Sequence, residues 1–241
     1  AVNMCLTFHY DIGLVTTWFA RNFGAIFTAW ALYKKLEEMG YSVLMINKPK
    51  ELWETDYFSP DRNRIALDFG RRNYNLSKEY GVNQTPELNL LNNSCDIFML
   101  GSDQLWNPKI YAHMYYFFLD FVTGRHKKIS YATSIGADHF EGTEDDKYVI
   151  SYLLSRFDQI SVREIEAVRV CEDTFDFHPA QVLDPVFLPD DKMFNNMADS
   201  VEKNIPGEFI FAYILDGNIE KRNLINQVAE KYRLPGWCAY D

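Results

Sequence analysis

Ile97-Phe98-Met99-Leu100-Gly101-Ser102-Asp103-Gln104-Leu105-Trp106-Asn107-Pro108 is the stretch that decides how this chain folds. Four consecutive apolar residues closed by a glycine predict a strand buried on both faces, as in a parallel sheet. A hydroxyl, a carboxylate, two carboxamides and an indole then crowd into six residues, and a proline ends the run. Polar groups just past the carboxyl end of a central parallel strand lie where open α/β sheets bind their ligands. The motif therefore predicts both a fold class and the floor of a site.

The flanking sequence repeats the same grammar of strand, polar loop and helix. Val2 to Phe8 reads as a first strand, His9 to Arg21 as irregular chain, and Ala25 to Met39 as an amphipathic helix ended by Gly40. Asn22 suits its N-cap, and Gly24 allows close approach to the free N–H groups there; a plain cap and an anion contact are both open. Tyr41–Ile46 is a second strand. Pro60 to Phe69 and Glu87 to Leu91 read as helices, and Arg62, Arg64, Arg71 and Arg72 form the one basic cluster, which reads as a solvated helix face. Beyond an aromatic run at Tyr115–Val122 come a strand at Lys127–Ala132 and the small-residue loop Thr133-Ser134-Ile135-Gly136-Ala137. A helix at Asp145–Phe157, a strand at Gln159–Val162, a helix at Ile165–Val170 and a strand at Gln181–Pro185 complete the pattern. It predicts a doubly wound, Rossmann-like parallel sheet over residues 1–190. A polar, Met- and Asn-rich linker over 191–208 and the opening βα unit of a second Rossmann-like domain over 209–241 follow.

Composition narrows the function. The chain has 241 residues, 47% hydrophobic and 16% aromatic, with a formal charge of −10. Such acidity argues against a nucleic-acid backbone as the main partner. The aromatics fit either sugar-binding ring faces or a large core. Cys5, Cys95, Cys171 and Cys238 are widely spaced, and the five histidines show no ligand spacing, so no metal site is expected. The dinucleotide fingerprint is absent. No apolar run approaches about 18 residues and no signal peptide is visible, which predicts a cytoplasmic protein without a transmembrane segment.

Six pieces, in order, resemble the polysaccharide pyruvyltransferase family: Asn22-Phe23-Gly24-Ala25, Gly101 to Asn107, Phe118 to Val122, Lys128 to Ala132, Ile160-Ser161-Val162-Arg163-Glu164 and Val182-Leu183-Asp184-Pro185. The resemblance implies a fold like GT-B glycosyltransferases, two Rossmann-like domains around a cleft, of which this sequence carries the first and only the beginning of the second. It implies transfer of a pyruvyl group from phosphoenolpyruvate to two sugar hydroxyls of a polysaccharide or its precursor, forming a cyclic ketal, with the donor as a substrate and no other cofactor. In this family key donor-binding and catalytic residues, a histidine among them, come from the second domain, so the 241-residue chain by itself is expected to be inactive. On that reading Arg163 is the first choice to hold donor carboxylate or phosphate, the alternative being an ion pair with Glu164 or Asp184. Asp103 accepts hydrogen bonds from acceptor hydroxyls, and His9, just past the first strand, reaches toward the cleft. Trp106 stacks on a sugar face. Asn22, Gly24, Ser102, Gln104, Asn107 and Ser134 supply further substrate contacts, or, for Asp103, Gln104 and Asn107, only turn hydrogen bonds. Two other functions stay open: a nucleotide-sugar glycosyltransferase on the same fold, and a non-catalytic carbohydrate-binding module.

Overall fold

The computed structural model describes residues 9–20, 22–47, 63–80, 86–111, 114–200, 207–214 and 217–240. Two compact units divide the chain at Pro189/Asp190. The first holds a six-stranded, wholly parallel sheet flanked by helices: a doubly wound α/β fold of Rossmann-like type. Its strands are β1 (Tyr10–Val15), β2 (Val43–Met45), β3 (Cys95–Leu100), β4 (Lys127–Thr133), β5 (Gln159–Val162) and β6 (Ala180–Gln181). Their spatial order is β2-β1-β3-β4-β5-β6. The chain winds outward from β1 to β2, returns to β3 on the other side of β1, and then winds away. The gap between β1 and β3 is thus the topological switch point, where the crevice of an open sheet forms.

β3 owes its central place to its apolar run. Phe98 and Leu100 are fully buried, and Phe98 meets Phe121 edge to face at 5.6 Å. In-register pairs Ile12↔Ile97 and Val15↔Leu100 join it to β1, and Leu100↔Ser130 joins it to β4. The expected strand at Val2–Phe8 lies outside the described residues, and β1 occupies a segment expected to be irregular. Gly13 lies within β1, where it lets the neighbouring strand pack closely: a Cβ on it would lie 3.0 Å from Cys95 Sγ and 3.2 Å from the Phe98 ring.

Helices α1 (Phe23–Glu38), α2 (Arg64–Asn73), α3 (Pro86–Asn89), α4 (Glu144–Leu154) and α5 (Ile165–Phe175) complete this unit. α1 starts where its cap predicts, with the Asn22 side chain accepting the Ala25 N–H at 3.2 Å, and Gly40 follows its end at φ +92°. The aromatic run 115–122 forms a 3-10 turn over Met114–Phe118 instead of a strand or long helix, and a buried lysine secures it. Lys128 Nζ, on β4, donates to the Leu119 carbonyl at 2.7 Å. The expected strand at 181–185 is cut to two residues, because Asp184-Pro185 opens a 3-10 turn (Pro185–Phe187) and the proline has no N–H for a ladder.

The second unit contains α6 (Asp191–Asp199), β7 (Ile210–Ile214), α7 (Ile219–Tyr232) and β8 (Gly236–Tyr240), with β7 and β8 paired in parallel. Residues 191–199, expected as linker, are helical: the Asp190 carboxylate caps the Met193 N–H at 3.0 Å, and an acidic first turn suits the helix dipole.

Candidate active site

At the carboxyl edge of the sheet a pocket of about 370 Å³ is lined by Asn22, Gly24, Ala25 and Thr28 from the start of α1, Asp103 and Gln104 beyond β3, Arg163 beyond β5, and Asp184 and Val186 beyond β6. It lies entirely within the first unit. Its α1 and β3 walls rise from the two sides of the switch point.

Asp103 is the knot of this edge. Its backbone sits at φ +104°, a conformation that favours glycine. It is held there from several directions. Thr17 Oγ1, beyond β1, donates to Asp103 Oδ2 at 2.6 Å, and the Gln104 N–H donates to Oδ1 at 2.8 Å. The Ser134 N–H donates to the Asp103 carbonyl at 2.9 Å, and Thr133 Oγ1 donates to the Gly101 carbonyl at 2.9 Å. The loops after β1, β3 and β4 are therefore laced together through one strained aspartate. Gly136, at φ +71°, completes the fit, since a Cβ there would lie 2.5 Å from the Gln104 side chain.

A second network crosses the pocket from β5 to α1. Arg163 Nη1 donates to Asp184 Oδ2 at 3.0 Å and to Ser102 Oγ at 3.5 Å, while Nε donates to Glu164 Oε2 at 3.3 Å. Asp184 Oδ1 accepts from Thr28 Oγ1 at 3.2 Å and from the Val186 N–H at 3.0 Å. Burial pulls the Arg163 pKa down, but the Asp184 bond and the Glu164, Asp184 and Asp103 charges outweigh it and leave the pKa above its ordinary value. The guanidinium is thus charged, and its charge is already matched. Because Nε and Nη1 are both engaged, a two-point fork on a donor carboxylate does not fit this arrangement; Nη2 alone makes no hydrogen bond among the described residues.

The structure brings Asp103, Gln104, Arg163, Asn22 and Gly24 to one pocket, with Ser102 and Ser134 directly behind them. Ser102 is buried against Arg163, and the Ser134 hydroxyl donates to Glu164 Oε1 while its backbone grips Asp103. Both serines hold the walls. Gly24 serves the cap as well as the pocket, since a Cβ on it would lie 2.8 Å from Asn22 Oδ1. Asn107 is buried and closes its own turn, donating to Gln104 Oε1 at 3.5 Å and accepting from the Lys109 N–H at 3.0 Å.

Two expected roles are corrected. Trp106 is 2% exposed, with one face stacked on Phe118 at 5.1 Å and Nε1 donating to the Phe117 carbonyl at 3.0 Å. It is a core residue and has no face for a sugar. His9 immediately precedes β1, at the end of that strand away from the pocket, and its Nε2 pairs with Asp96 at 2.9 Å at the start of β3. Six strand residues at about 3.3 Å each place it on the order of 20 Å from the pocket edge. Reading from sequence passed over Thr17 and Thr28, and named Asp184 only as the alternative ion-pair partner of Arg163, a pairing the structure contains. Asp184 had a signal, because Asp-Pro after a strand marks a cap at a strand end; Thr17 and Thr28 had none.

With this geometry in view, comparison with known families is informative: the profile of the polysaccharide pyruvyl transferase family matches residues 22–240. The chain belongs to the polysaccharide pyruvyl transferase family. No curated protein matches the sequence. Family membership implies a transferase acting on polysaccharides. Among the described residues no helix is long and apolar enough to cross a membrane, and no three His, Cys, Asp or Glu side chains gather in a way that could hold a metal ion.

Proposed function

We propose that the intact protein transfers a pyruvyl group from phosphoenolpyruvate to two hydroxyls of one sugar in a polysaccharide or its precursor, and that the pocket beside Asp103 receives the acceptor sugar. One observation supports the acceptor assignment: two carboxylates from different strand ends line a pocket whose one cation among the described residues, Arg163, is already neutralised. A carboxylate offers about four acceptor positions. Asp103 uses two of them and Asp184 three, so acceptor capacity remains for two hydroxyl donors. Among the described residues a trianionic donor finds no matching excess of positive charge here.

The reaction balances as follows. The donor methylene carbon takes a proton, and the adjacent carbon forms a bond to the first sugar oxygen as that hydroxyl gives up its proton. The bond from this carbon to the phosphate oxygen then breaks, phosphate leaves, and the second hydroxyl oxygen closes the ring, its proton passing to phosphate. Asp103 and Asp184 accept hydrogen bonds from the attacking hydroxyls and raise their nucleophilicity, while Arg163 Nη2 offers a donor to oxygen.

The test incubates the intact protein with phosphoenolpyruvate and candidate sugars, following phosphate release and the pyruvylated product by mass spectrometry. Equal amounts of both are expected, and Asp103→Asn lowers kcat by about 10² or more. Thermal stabilisation by UDP- or GDP-sugars with none by phosphoenolpyruvate would replace this reading with a glycosyltransferase.

A further inference from the structure

Outside the pocket, a cluster of positive charge among the described residues lies on the exposed side of α2. Arg64, Arg71 and Arg72 are all exposed there. At 100° per residue, Arg64, Asp68, Arg71 and Arg72 share an arc of about 100°, and the eight residues from Arg64 to Arg71 rise roughly 10 Å along the axis. Asp68 contacts Arg71 at 3.1 Å and Arg64 at 4.0 Å. Three arginines against one aspartate leave two positive charges, and exposed pairs of this kind exchange readily for other anions. Arg62, the fourth of the expected cluster, lies outside the described residues.

The opposite side of α2 packs on Trp18. Ala66, Leu67 and Gly70 are buried, and a Cβ on Gly70 would lie 2.4 Å from the Trp18 ring. Trp18 Nε1 donates to the Ile46 carbonyl at 3.2 Å, and Trp18 follows Thr17, whose hydroxyl holds Asp103. The arginines thus lie one helix diameter of about 10 Å across from Trp18, and Thr17 links that residue to Asp103. A sugar polymer is long enough to span that gap; a single sugar is not.

We propose that the α2 arginine face binds acidic repeat units of the acceptor polymer, and in particular units already carrying a pyruvyl ketal, while another unit occupies the pocket. This rests on the reaction proposed above. Both new bonds form at the central carbon of the pyruvyl group, so its carboxylate survives and every modified unit carries one negative charge. Guanidinium groups match carboxylates geometrically as well as electrostatically. The product of one turnover would thereby hold the polymer beside the pocket for the next.

The intact protein is titrated with two oligosaccharides of equal length, a galacturonate oligomer with one carboxylate per residue and a neutral galactose oligomer, at low salt and at about 150 mM. The acidic oligomer is expected to bind about tenfold more tightly, with the preference shrinking in salt and vanishing in R64E/R71E/R72E. The milder R64Q/R71Q/R72Q variant guards against misfolding and should weaken the preference in the same direction. Asp103→Asn should leave the preference intact. Equal binding of the two oligomers, an acidic preference that survives charge reversal, or duplex DNA binding as tightly as galacturonate would each overturn the proposal. Loss of pyruvyl transfer with the acidic preference retained would instead strike the proposed reaction, because the two readouts are separate.

Discussion

A non-glycine residue held at φ +104° costs about 1–3 kcal/mol, and Asp103 bears that strain at the centre of the candidate site. Glycine would relieve the strain but remove the carboxylate, whereas alanine would keep the strain and lose the carboxylate too. Asp103→Gly is therefore expected to be more stable than Asp103→Ala by about 1–2 kcal/mol in urea denaturation, with sugar binding lost in both. Equal stability would show that the backbone there is unstrained. Trp106 carries the opposite lesson. An indole inside a polar loop reads as a sugar platform, yet its burial and its bond to the Phe117 carbonyl make it structural. Trp106→Ala should cost about 3–5 kcal/mol, visible as a large fall in denaturation midpoint.

Among the elements, the start of α1 couples two residues that sequence reading treated separately. A Cβ at Gly24 would collide with the capping oxygen of Asn22 at 2.8 Å. In the Asn22→Ala background, itself about 1 kcal/mol less stable, Gly24→Ala should stabilise the protein by about 0.5–1 kcal/mol; in the native background it should be neutral or worse. A double-mutant cycle with no coupling would contradict the cap geometry. β4 carries the buried lysine. Burial first, and then the Arg156 charge, pull the Lys128 pKa down to about 8 from 10.5. Between these values the unfolded chain holds a proton that the folded chain has released, so raising the pH favours the fold through this group. The stability of the native protein relative to Lys128→Met should rise between pH 8 and about 10.5, by at most about 1.4 kcal/mol per pH unit. Comparison with the variant matters because burial pushes the Cys95 and Cys171 thiols and the Tyr33 hydroxyl up to about 12, which opposes the trend in both proteins.

For the first unit as a whole, the Arg163–Asp184 pair ties α1, the β3 loop, β5 and β6 into one edge, since Thr28 and Ser102 join it from either side. The two cations are similarly exposed, but Asp184 is 17% exposed against 36% for Glu37, and Thr28, Ser102 and Glu164 brace the Arg163–Asp184 pair, so its coupling should exceed that of Lys34–Glu37. A cycle of Arg163→Ala and Asp184→Ala is expected to give about 1–2 kcal/mol, against a few tenths for Lys34 and Glu37. Equal coupling in the two cycles would reduce Arg163 to a surface charge.

Local chemistry settled a good deal before any packing was considered. An apolar run closed by Gly101 made β3 a buried parallel strand, Asn22 and Gly40 bounded α1, and the polar residues at the strand ends marked the edge where the pocket lies. Those features depend on residues close together in sequence, so sequence expresses them directly. Tertiary structure alone decided that β1 runs through Gly13, because the contact that favours a missing Cβ comes from Cys95 and Phe98, more than eighty residues away. It alone turned Trp106 inward, put His9 at the far edge, and joined Thr17 to Asp103 and Thr28 to Asp184, across separations of 86 and 156 residues. The sheet order that makes β1 and β3 a switch point is likewise a property of the packed strands. A pocket needs residues that converge in space, and only the folded sheet sets that convergence.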